Sequence, residues 1–256
     1  MPVVETSRSG AVLTITLNRP DVLNALDRAV HRALRQALDE AADTGVRAVA
    51  LTGAGRGFCV GQDLTEFRAG HGDIGAHLRE HYHPNILALR ALEKPVLAAV
   101  NGPVAGAGLS LACACDLRIA SAAAVFIPAF IGIGLVPDSG GTYFVSRLLG
   151  PARAFAWFVG NRRLTAAEAL DWGLVSEVVE PGELASRTAA YAAELAALPT
   201  RAVAFTKRLC DAAGESGLAE QLEREAELQV AATQTSDFGE GVAAFLAKRE
   251  PRFEGR

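Results

Sequence analysis

Apolar residues in the first two-thirds of the chain follow two spacings, one typical of strands and one typical of helices. The runs AVLTITL (11–17), RAVALTG (47–53) and VLAAVNG (96–102) have the length and composition of strands, and the last two read as buried. Helical spacing predicts a helix from about Asp27 to Ala42 and another from about Ile74 to Leu92. Strands and helices therefore alternate, as in an α/β protein.

From Gly141 onwards the pattern becomes mostly helical. Thr165 and Glu168 have the spacing of a capping box that starts a short helix, and Gly173 stands where that helix should end. Shorter apolar runs predict three more strands, in DLRIAS (116–121), AVFI (124–127) and GLVSEVV (173–179). Further helix patterns cover 182–198, 200–212, 216–233 and 238–248. We expect an α/β core with a helical C-terminal part.

Composition narrows the functional classes. Half of the 256 residues are apolar and 21% are charged, as is usual for a soluble globular protein. The net charge of −4 does not favour nucleic-acid binding, and no apolar run approaches the ~20 residues of a membrane span. The start, MPVVETSRSG, lacks the basic and apolar regions of a signal peptide. We expect a cytoplasmic protein.

The four cysteines form no CxxC pair, which favours a reducing compartment. Cys113 and Cys115 are two residues apart on a predicted helix, so they point to different sides. We interpret them as small buried residues rather than metal ligands.

Two glycine-containing loops follow buried strands, at GAGRGFCVGQDL (53–64) and GPVAGAGLSL (102–111). Ligands of α/β proteins bind where strands end. The glycine spacing in the second loop matches neither GxGxxG nor GxxxxGK[ST], so a phosphate-binding loop is not indicated. The N–H groups around Ala107 would lie at a helix N-terminus, and two N–H groups directed at one point form an oxyanion hole. Two simple tight turns are the alternative.

Four of the five histidines lie in HGDIGAHLREHYH (71–83). His77 and His81 are four residues apart, a spacing that suits a metal site, but no HExxH pattern or carboxylate partner accompanies them. We therefore predict no metal site. His83, just before Pro84, could line a substrate pocket or lie at the surface.

Six segments occur in the order found in the crotonase family, also called the enoyl-CoA hydratase/isomerase family, which the chain resembles over nearly its whole length. They are NRPDVLNALD (18–27), LTGAGRGFCVGQDL (51–64), KPVLAAVNGPVAGAG (94–108), CDLRIAS (115–121), VPDSGGTYFVSRLLG (136–150) and LTAAEALDWGLVSEVV (164–179). The resemblance implies a superhelix of ββα units, with the core and acyl-CoA site in 1–195 and a helical trimerisation region in 196–256. It also implies acyl-CoA thioester substrates, and a homotrimer or a dimer of trimers. Coenzyme A would enter as part of the substrate, so no separate cofactor is expected.

The resemblance also assigns the site. The oxyanion donors would be the N–H groups of Gln62 and Ala107, although the family usually has glycine at position 107. Residues expected near coenzyme A are Asn24, Ala25, Leu26, Val60, Gly61, Asp63 and Leu64, with Lys248 near a phosphate, from a neighbouring subunit if need be.

The acid–base residues depart from those of the hydratases, which carry two glutamates. Ser110 and Phe130 stand at the matching positions, and neither can act as a base. Asp138, in VPDSGGT, faces apolar neighbours that should raise its pKa and suit it to proton transfer. A helix N-cap is the structural interpretation of Asp138, and both roles can coexist. The PDSGGT segment and the C-terminus look most like the phenylacetate-degradation branch, the 1,2-epoxyphenylacetyl-CoA isomerases, in which a matching aspartate transfers the proton.

An acyl-CoA isomerase with Asp138 as proton shuttle is therefore the leading hypothesis. An enoyl-CoA hydratase is the alternative, with Asp138 or a water replacing the glutamates. A dehalogenase-like enzyme would use an aspartate at this offset as a nucleophile, with His83 at the position of its histidine but Phe130 in place of its tryptophan. A non-catalytic scaffold that binds acyl-CoA or RNA is less compatible with Asp138 and the acidic balance. The 65–83 loop, which should shape the acyl pocket, has no readable pattern.

Overall fold

A computed structural model describes residues 1–65 and 73–256. Its larger sheet has six strands in the order β1-β2-β3-β4-β6-β9. They are β1 (Val4–Ser9), β2 (Val12–Leu17), β3 (Ala48–Gly53), β4 (Val96–Val100), β6 (Leu117–Ser121) and β9 (Glu177–Val179). β1 and β2 form an antiparallel hairpin, and every later neighbour is parallel. The loops after β3 and β4 therefore leave the same edge of the sheet.

A second sheet of three short strands lies beside these loops. It consists of β5 (Val104–Ala105), β7 (Val125–Ile127) and β8 (Leu164–Thr165). β5 is parallel to β7, and β7 is antiparallel to β8. The loop after β4 thus becomes a strand before its helix begins, which fixes its path.

The helices are distributed between the two faces of the larger sheet and the C-terminal part. They are α1 (Arg28–Ala41), α2 (Ile74–His77), α3 (His83–Ala91), α4 (Ala107–Ala114), α5 (Gly141–Leu149), α6 (Pro151–Gly160), α7 (Ala166–Asp171), α8 (Leu184–Ala197), α9 (Thr200–Ala213), α10 (Leu218–Thr233) and α11 (Ser236–Ala247). The main core lies on the α1 and α4 side, and α8 covers the other sheet face by packing on residues such as Ala50, Leu97 and Ile119.

Most predicted elements are confirmed. The capping box is present, with the Glu168 N–H donating to Thr165 Oγ1 at 3.2 Å and the Thr165 N–H donating to the Glu168 carboxylate at 2.9 Å. Gly173 follows with a φ of 75°. Cys113 and Cys115 are both buried, and burial raises the pKa of their thiols to about 11 and about 12.

Three elements differ from the prediction. β1 was not predicted, because five of its six residues are exposed and its sequence shows no apolar alternation. The helix expected over 74–92 contains a π-helical turn at Leu78–Tyr82 between α2 and α3. The strand expected over 173–179 is confined to β9, because Leu174 and Val175 pack into the core instead.

The C-terminal helices leave large apolar side chains exposed. None of the 16 residues of α10 is buried in the single chain. Exposed fractions reach 77% for Leu218, 55% for Leu222 and 82% for Phe245. Within the described ranges 1–65 and 73–256, no helix is long and apolar enough to cross a membrane.

Candidate active site

The loops after β3 and β4 are paired to each other through their backbones. The Ala105 N–H donates to Cys59 O at 2.9 Å, and the Phe58 N–H donates to Pro103 O at 3.1 Å. Cys59 and Val104 form a parallel bridge. These bonds hold the two predicted oxyanion loops side by side.

Two glycines make the contact between the loops possible. Gly61 has a φ of +85°, and a Cβ atom on it would lie 3.0 Å from Ala105 O and 3.1 Å from Ala107 N. A Cβ atom on Gly108 would lie only 2.3 Å from Cys59 O, where no side chain fits. Glycine is therefore needed at both positions, since the backbones touch directly.

Ala107 is the first residue of α4. Gly106 precedes it at φ 53° and ψ −128°, a conformation open essentially to glycine alone. N–H groups in the first turn of a helix have no intrahelical acceptor and lie at the positive end of the helix dipole. Ala107 is buried, so its Cβ atom is accommodated where the family usually has glycine. The structure thus places Ala107 N directly beside Gly61, the neighbour of Gln62.

Gln62 is held from both sides of its backbone and by its side chain. The Leu26 N–H donates to Gly61 O at 2.7 Å, and the Asp63 N–H donates to Leu26 O at 2.9 Å. Gln62 Nε2 lies 3.2 Å from Nε2 of the buried His77. This contact joins the Gln62 side chain to a ring buried beneath the loop.

Asp138 lies in the segment that leads from Phe130 to α5, and its side chain is partly buried. Burial raises the pKa of Asp138, while a 3.0 Å bond from Ser139 Oγ and the charge of the nearby His83 oppose the rise. Ser110 Oγ and the Gly141 N–H both donate to Asp138 O at 2.8 Å. The predicted proton-transfer group therefore has a raised pKa and an anchored backbone.

The N-cap interpretation of Asp138 is wrong. The N-cap of α5 is Gly140, at φ 80°, and no side chain caps this helix. Ser139 and Gly140 both have positive φ, so the chain turns away before the Asp138 carboxylate can reach the first helical N–H groups. The Asp138 carboxylate therefore does not cap α5.

Ser110 and Phe130, at the two hydratase glutamate positions, are both buried. Ser110 Oγ lies against Gly141, where a Cβ atom would approach it to 2.6 Å. A longer side chain at position 110 has no room without movement of the Asp138 segment.

Most residues expected near coenzyme A lie together. The segments 24–26 and 60–64 are joined by the Leu26–Gly61 bond and by the Val60 N–H, which donates to Leu23 O at 3.2 Å. The Asn24 and Asp63 side chains are engaged internally, Asn24 with Gly57 O at 2.8 Å and Asp63 with Arg19 at 2.9 Å. Leu64 is 56% exposed. Any contact of Asn24 and Asp63 with a ligand would come from their backbones.

Lys248, expected near a phosphate, lies in the C-terminal part of the chain. It ends α11 with a φ of 52°, and its N–H donates to Phe245 O at 3.2 Å.

A cluster of four rings, three of them buried and His81 half-buried, contacts the Gln62 side chain through His77. His31 and Tyr82 have ring centroids 4.0 Å apart, and those of His77 and His81 are 4.8 Å apart. Burial and the neighbouring imidazoles lower the pKa of His31 to about 3. In the described ranges, no three His, Cys, Asp or Glu side chains could hold a metal ion.

The fold and these loops define a crotonase-like α/β protein with a backbone-lined strand-edge site. The chain belongs to the enoyl-CoA hydratase/isomerase family, whose pattern matches residues 7–256, and this family acts on acyl-CoA thioesters. The chain is 40% identical over 250 residues to a 1,2-epoxyphenylacetyl-CoA isomerase of Escherichia coli. The alignment covers 96% of this chain and 95% of the isomerase.

Two other relatives carry hydratase names. A Rhodobacter capsulatus protein named "Probable enoyl-CoA hydratase" is 44% identical over 248 residues, covering 97% of this chain and 96% of the relative. The crystal structure of an enoyl-CoA hydratase from Bacillus anthracis is similar with a TM-score of 0.94 at 31% identity, covering 99% of this chain and all of that one. The family is therefore established, and the three relatives named here carry either an isomerase or a hydratase name.

Sequence reasoning missed three residues that shape the site. Arg19 bonds to Asp63 across 44 positions of the chain, and His77 bonds to the Gln62 side chain. Ser110 was recognised only as a missing glutamate, whereas it anchors Asp138. Each role depends on a partner distant in sequence, so no local pattern signals it.

Proposed function

We propose that this protein is an acyl-CoA isomerase that moves double bonds, or rearranges a ring-epoxide phenylacetyl-CoA, through a thioester enolate. The observation that carries the proposal is Asp138, a partly buried carboxylate whose pKa burial raises. Its backbone accepts a 2.8 Å bond from Ser110 of α4, the helix that begins beside the paired loops after β3 and β4. The similarity to the Escherichia coli isomerase supports it.

The proposed chemistry follows from the weak acidity of a thioester α-proton. Asp138 takes a proton from C2 or C4, and negative charge develops on the thioester oxygen. The N–H groups of Gln62 and Ala107 donate to that oxygen, and one such donor is typically worth roughly 10²–10³ in rate. Asp138 then returns the proton to another carbon of the dienolate. Coenzyme A enters with the substrate, and no further cofactor is invoked.

The raised pKa suits both directions of this transfer. A carboxylate with an ordinary pKa is a weak base, whereas burial makes the anion of Asp138 a stronger one. The carboxylic acid formed when Asp138 accepts the proton is the species that returns it to another carbon. One group can therefore remove and redeliver the proton.

The test is to incubate the protein separately with a 3-enoyl-CoA and a 2-enoyl-CoA and to follow double-bond migration and water addition. We expect migration, and we expect Asp138→Asn to lower its rate by at least ~10². Asp171→Asn, an exposed aspartate at the end of α7, is the matched control and should leave the rate unchanged. Near-wild-type turnover by a folded Asp138→Asn protein that still binds coenzyme A would remove Asp138 from the mechanism.

The hydratase alternative is favoured by one observation, the 44% identity to the Rhodobacter capsulatus protein. The same assay separates the two activities. Because Ser110 and Phe130 carry no carboxylate, we expect hydration of crotonyl-CoA far below the ~10³ s⁻¹ of fast enzymes. Hydration at that rate would replace the isomerase proposal with the hydratase.

A further inference from the structure

Arg19 lies between the segment expected to receive coenzyme A and the loop that carries Gln62. Its Nη1 donates to Ala25 O at 2.7 Å and lies 3.1 Å from Asp27 Oδ2. Its Nη2 lies 2.9 Å from Asp63 Oδ2. The guanidinium is therefore bonded to both segments at once.

Both ends of this contact are shielded from solvent. The side chain of Arg19 is 21% exposed and that of Asp63 is 9% exposed, so their attraction is screened less than a surface pair. The Asp63 pKa is held below its usual range by hydrogen bonds from Thr65 and Arg19, against the effect of burial. Asp63 also accepts from Thr65 Oγ1 at 2.6 Å and from the Thr65 N–H at 3.0 Å. The network of hydrogen bonds that begins at Arg19 therefore extends through Asp63 to Thr65.

The backbone joins the same two segments on either side of Gln62. Leu26 donates to Gly61 O at 2.7 Å and accepts from the Asp63 N–H at 2.9 Å. A displacement of Leu26 is thus passed to the residues before and after Gln62. The Arg19 N–H also donates to Asn24 Oδ1 at 2.8 Å, which holds the other end of the segment 24–26.

We propose that Arg19 is a positioning residue that couples occupancy of the coenzyme A segment 24–26 to the orientation of the Gln62 N–H. This inference rests on the proposed function. Binding energy from a non-reacting part of a substrate raises kcat when it is used to organise the transition-state contacts. The coenzyme A moiety would then accelerate the chemical step as well as tighten binding.

The planar guanidinium is suited to this role. It has donors in a fixed fork and reaches the Ala25 carbonyl and the Asp27 and Asp63 carboxylates together, whereas an ammonium group is a single point of charge. Arg19→Lys therefore keeps the charge but loses the simultaneous contacts. Asp63→Asn is a second, nearly isosteric way to weaken the same link.

The first measurement compares one acyl chain on coenzyme A and on N-acetylcysteamine, which lacks the nucleotide. For the wild type we expect kcat to be at least about tenfold higher with the coenzyme A thioester. Arg19→Lys and Asp63→Asn should lower kcat for the coenzyme A thioester about tenfold and leave kcat for the short thioester nearly unchanged. An equal fall for both substrates, or no fall, would overturn the coupling.

Arg47→Lys is the matched control. Arg47 also bonds three distant groups, Thr200 Oγ1 at 2.9 Å and the carbonyls of Leu198 and Phe253 at 2.7 Å, but it ties down the C-terminal segment. Its substitution should not change the ratio of the two kcat values.

The second measurement needs no turnover, so it separates this proposal from the isomerase assignment. Free coenzyme A is added, and amide hydrogen exchange is followed in peptides covering residues 58–65. In the wild type, exchange should slow at least about fivefold, and in Arg19→Lys saturated with coenzyme A it should not slow. Equal protection in both proteins would overturn the coupling whatever reaction the enzyme catalyses, while an inactive wild type that shows the difference would overturn only the isomerase.

Discussion

Ser110 Oγ donates a 2.8 Å hydrogen bond to the backbone carbonyl of Asp138. Ser110 belongs to α4, the helix whose first residue is Ala107. One helix therefore carries Ala107, the proposed oxyanion donor, in its first turn, and it anchors the segment of Asp138, the proposed proton-transfer group, one turn later. The position expected to carry a glutamate in hydratases here anchors the backbone of the proposed base.

Loss of this anchor should slow the reaction without removing any reacting group. Ser110→Ala leaves Asp138 O with the Gly141 bond alone, and a lost hydrogen bond of about 1 kcal/mol predicts a fall in kcat of roughly fivefold. Ser186→Ala removes a comparable hydroxyl-to-carbonyl bond, 2.9 Å to Glu183 O, far from the site and should leave kcat unchanged. Ser110→Glu, with no space beside Gly141, should destabilise the fold rather than create a hydratase. Unchanged kcat in Ser110→Ala would show that the anchor is dispensable.

The oxyanion loops should be sensitive to backbone change. Gly61→Ala adds a Cβ atom 3.1 Å from Ala107 N at a positive φ, so we expect kcat to fall at least about 10²-fold. Gly10→Ala imposes a similar positive φ of 58° with nothing within 4 Å, so it reports the cost of backbone strain alone. A Gly61→Ala protein as active as Gly10→Ala would contradict the assigned site.

Substitutions at Ala107 separate the donor from the turn. Ala107→Pro deletes the N–H group and should abolish turnover in a protein that remains folded by circular dichroism. Ala107→Gly keeps the donor and should remain active. Gln62→Ala also keeps its N–H group, but it loses the His77 contact, so a small decrease is expected.

Acid should weaken the fold through His31. Its pKa is about 3 in the folded protein against 6.5 without burial, so between these pH values the unfolded chain binds the proton and the folded chain does not. The free energy of unfolding is therefore unaffected by His31 above pH 6.5, and it falls by about 1.4 kcal/mol per pH unit between pH 6.5 and about pH 3. Urea denaturation at neutral and acidic pH measures this slope. His31→Gln should flatten it, and His83→Gln, at an exposed position, should not.

The exposed C-terminal apolar residues predict self-association, and the resemblance to the crotonase family implies that the assembly is a trimer or a dimer of trimers. Closed symmetry is the usual way to cover such faces, so sedimentation should give three or six times 26.8 kDa. Leu218→Glu with Leu222→Glu should dissociate the assembly, while Glu225→Gln on the same helix should not. A wild-type monomer at micromolar concentration would rule the assembly out.

The sequence predicted those parts of the molecule that are encoded locally. The buried strands, the Thr165 capping box and the two glycine loops have signals within a few residues. β1 has no such signal, because its side chains face solvent. The π-helical turn at Leu78–Tyr82 changes the hydrogen-bond register without changing the apolar content.

The contacts that position the site residues could not be predicted from local sequence patterns. Ser110 meets Asp138 across 28 positions, and Arg19 meets Asp63 across 44. The N-cap expectation for Asp138 failed because the turn at Ser139 and Gly140 moves the cap to glycine. These arrangements are tertiary, and a single sequence does not display them.

The direct backbone contact between Gly61, Gly108 and their neighbours bears on how this enzyme can change. Because the proposed donors are main-chain groups held by main-chain bonds, the side chains around the acyl group can be varied without moving them. We expect the exposed apolar residues Ile131, Ile133 and Val136 to lie near the acyl group, because they precede Asp138 in the same segment. A library built on them should therefore yield altered substrate ranges at little loss of folding. A library that varies the loop glycines should yield mainly inactive proteins. New substrate specificities should therefore arise from changes in the side chains around the acyl group, while the loop glycines and the proposed backbone donors stay unchanged.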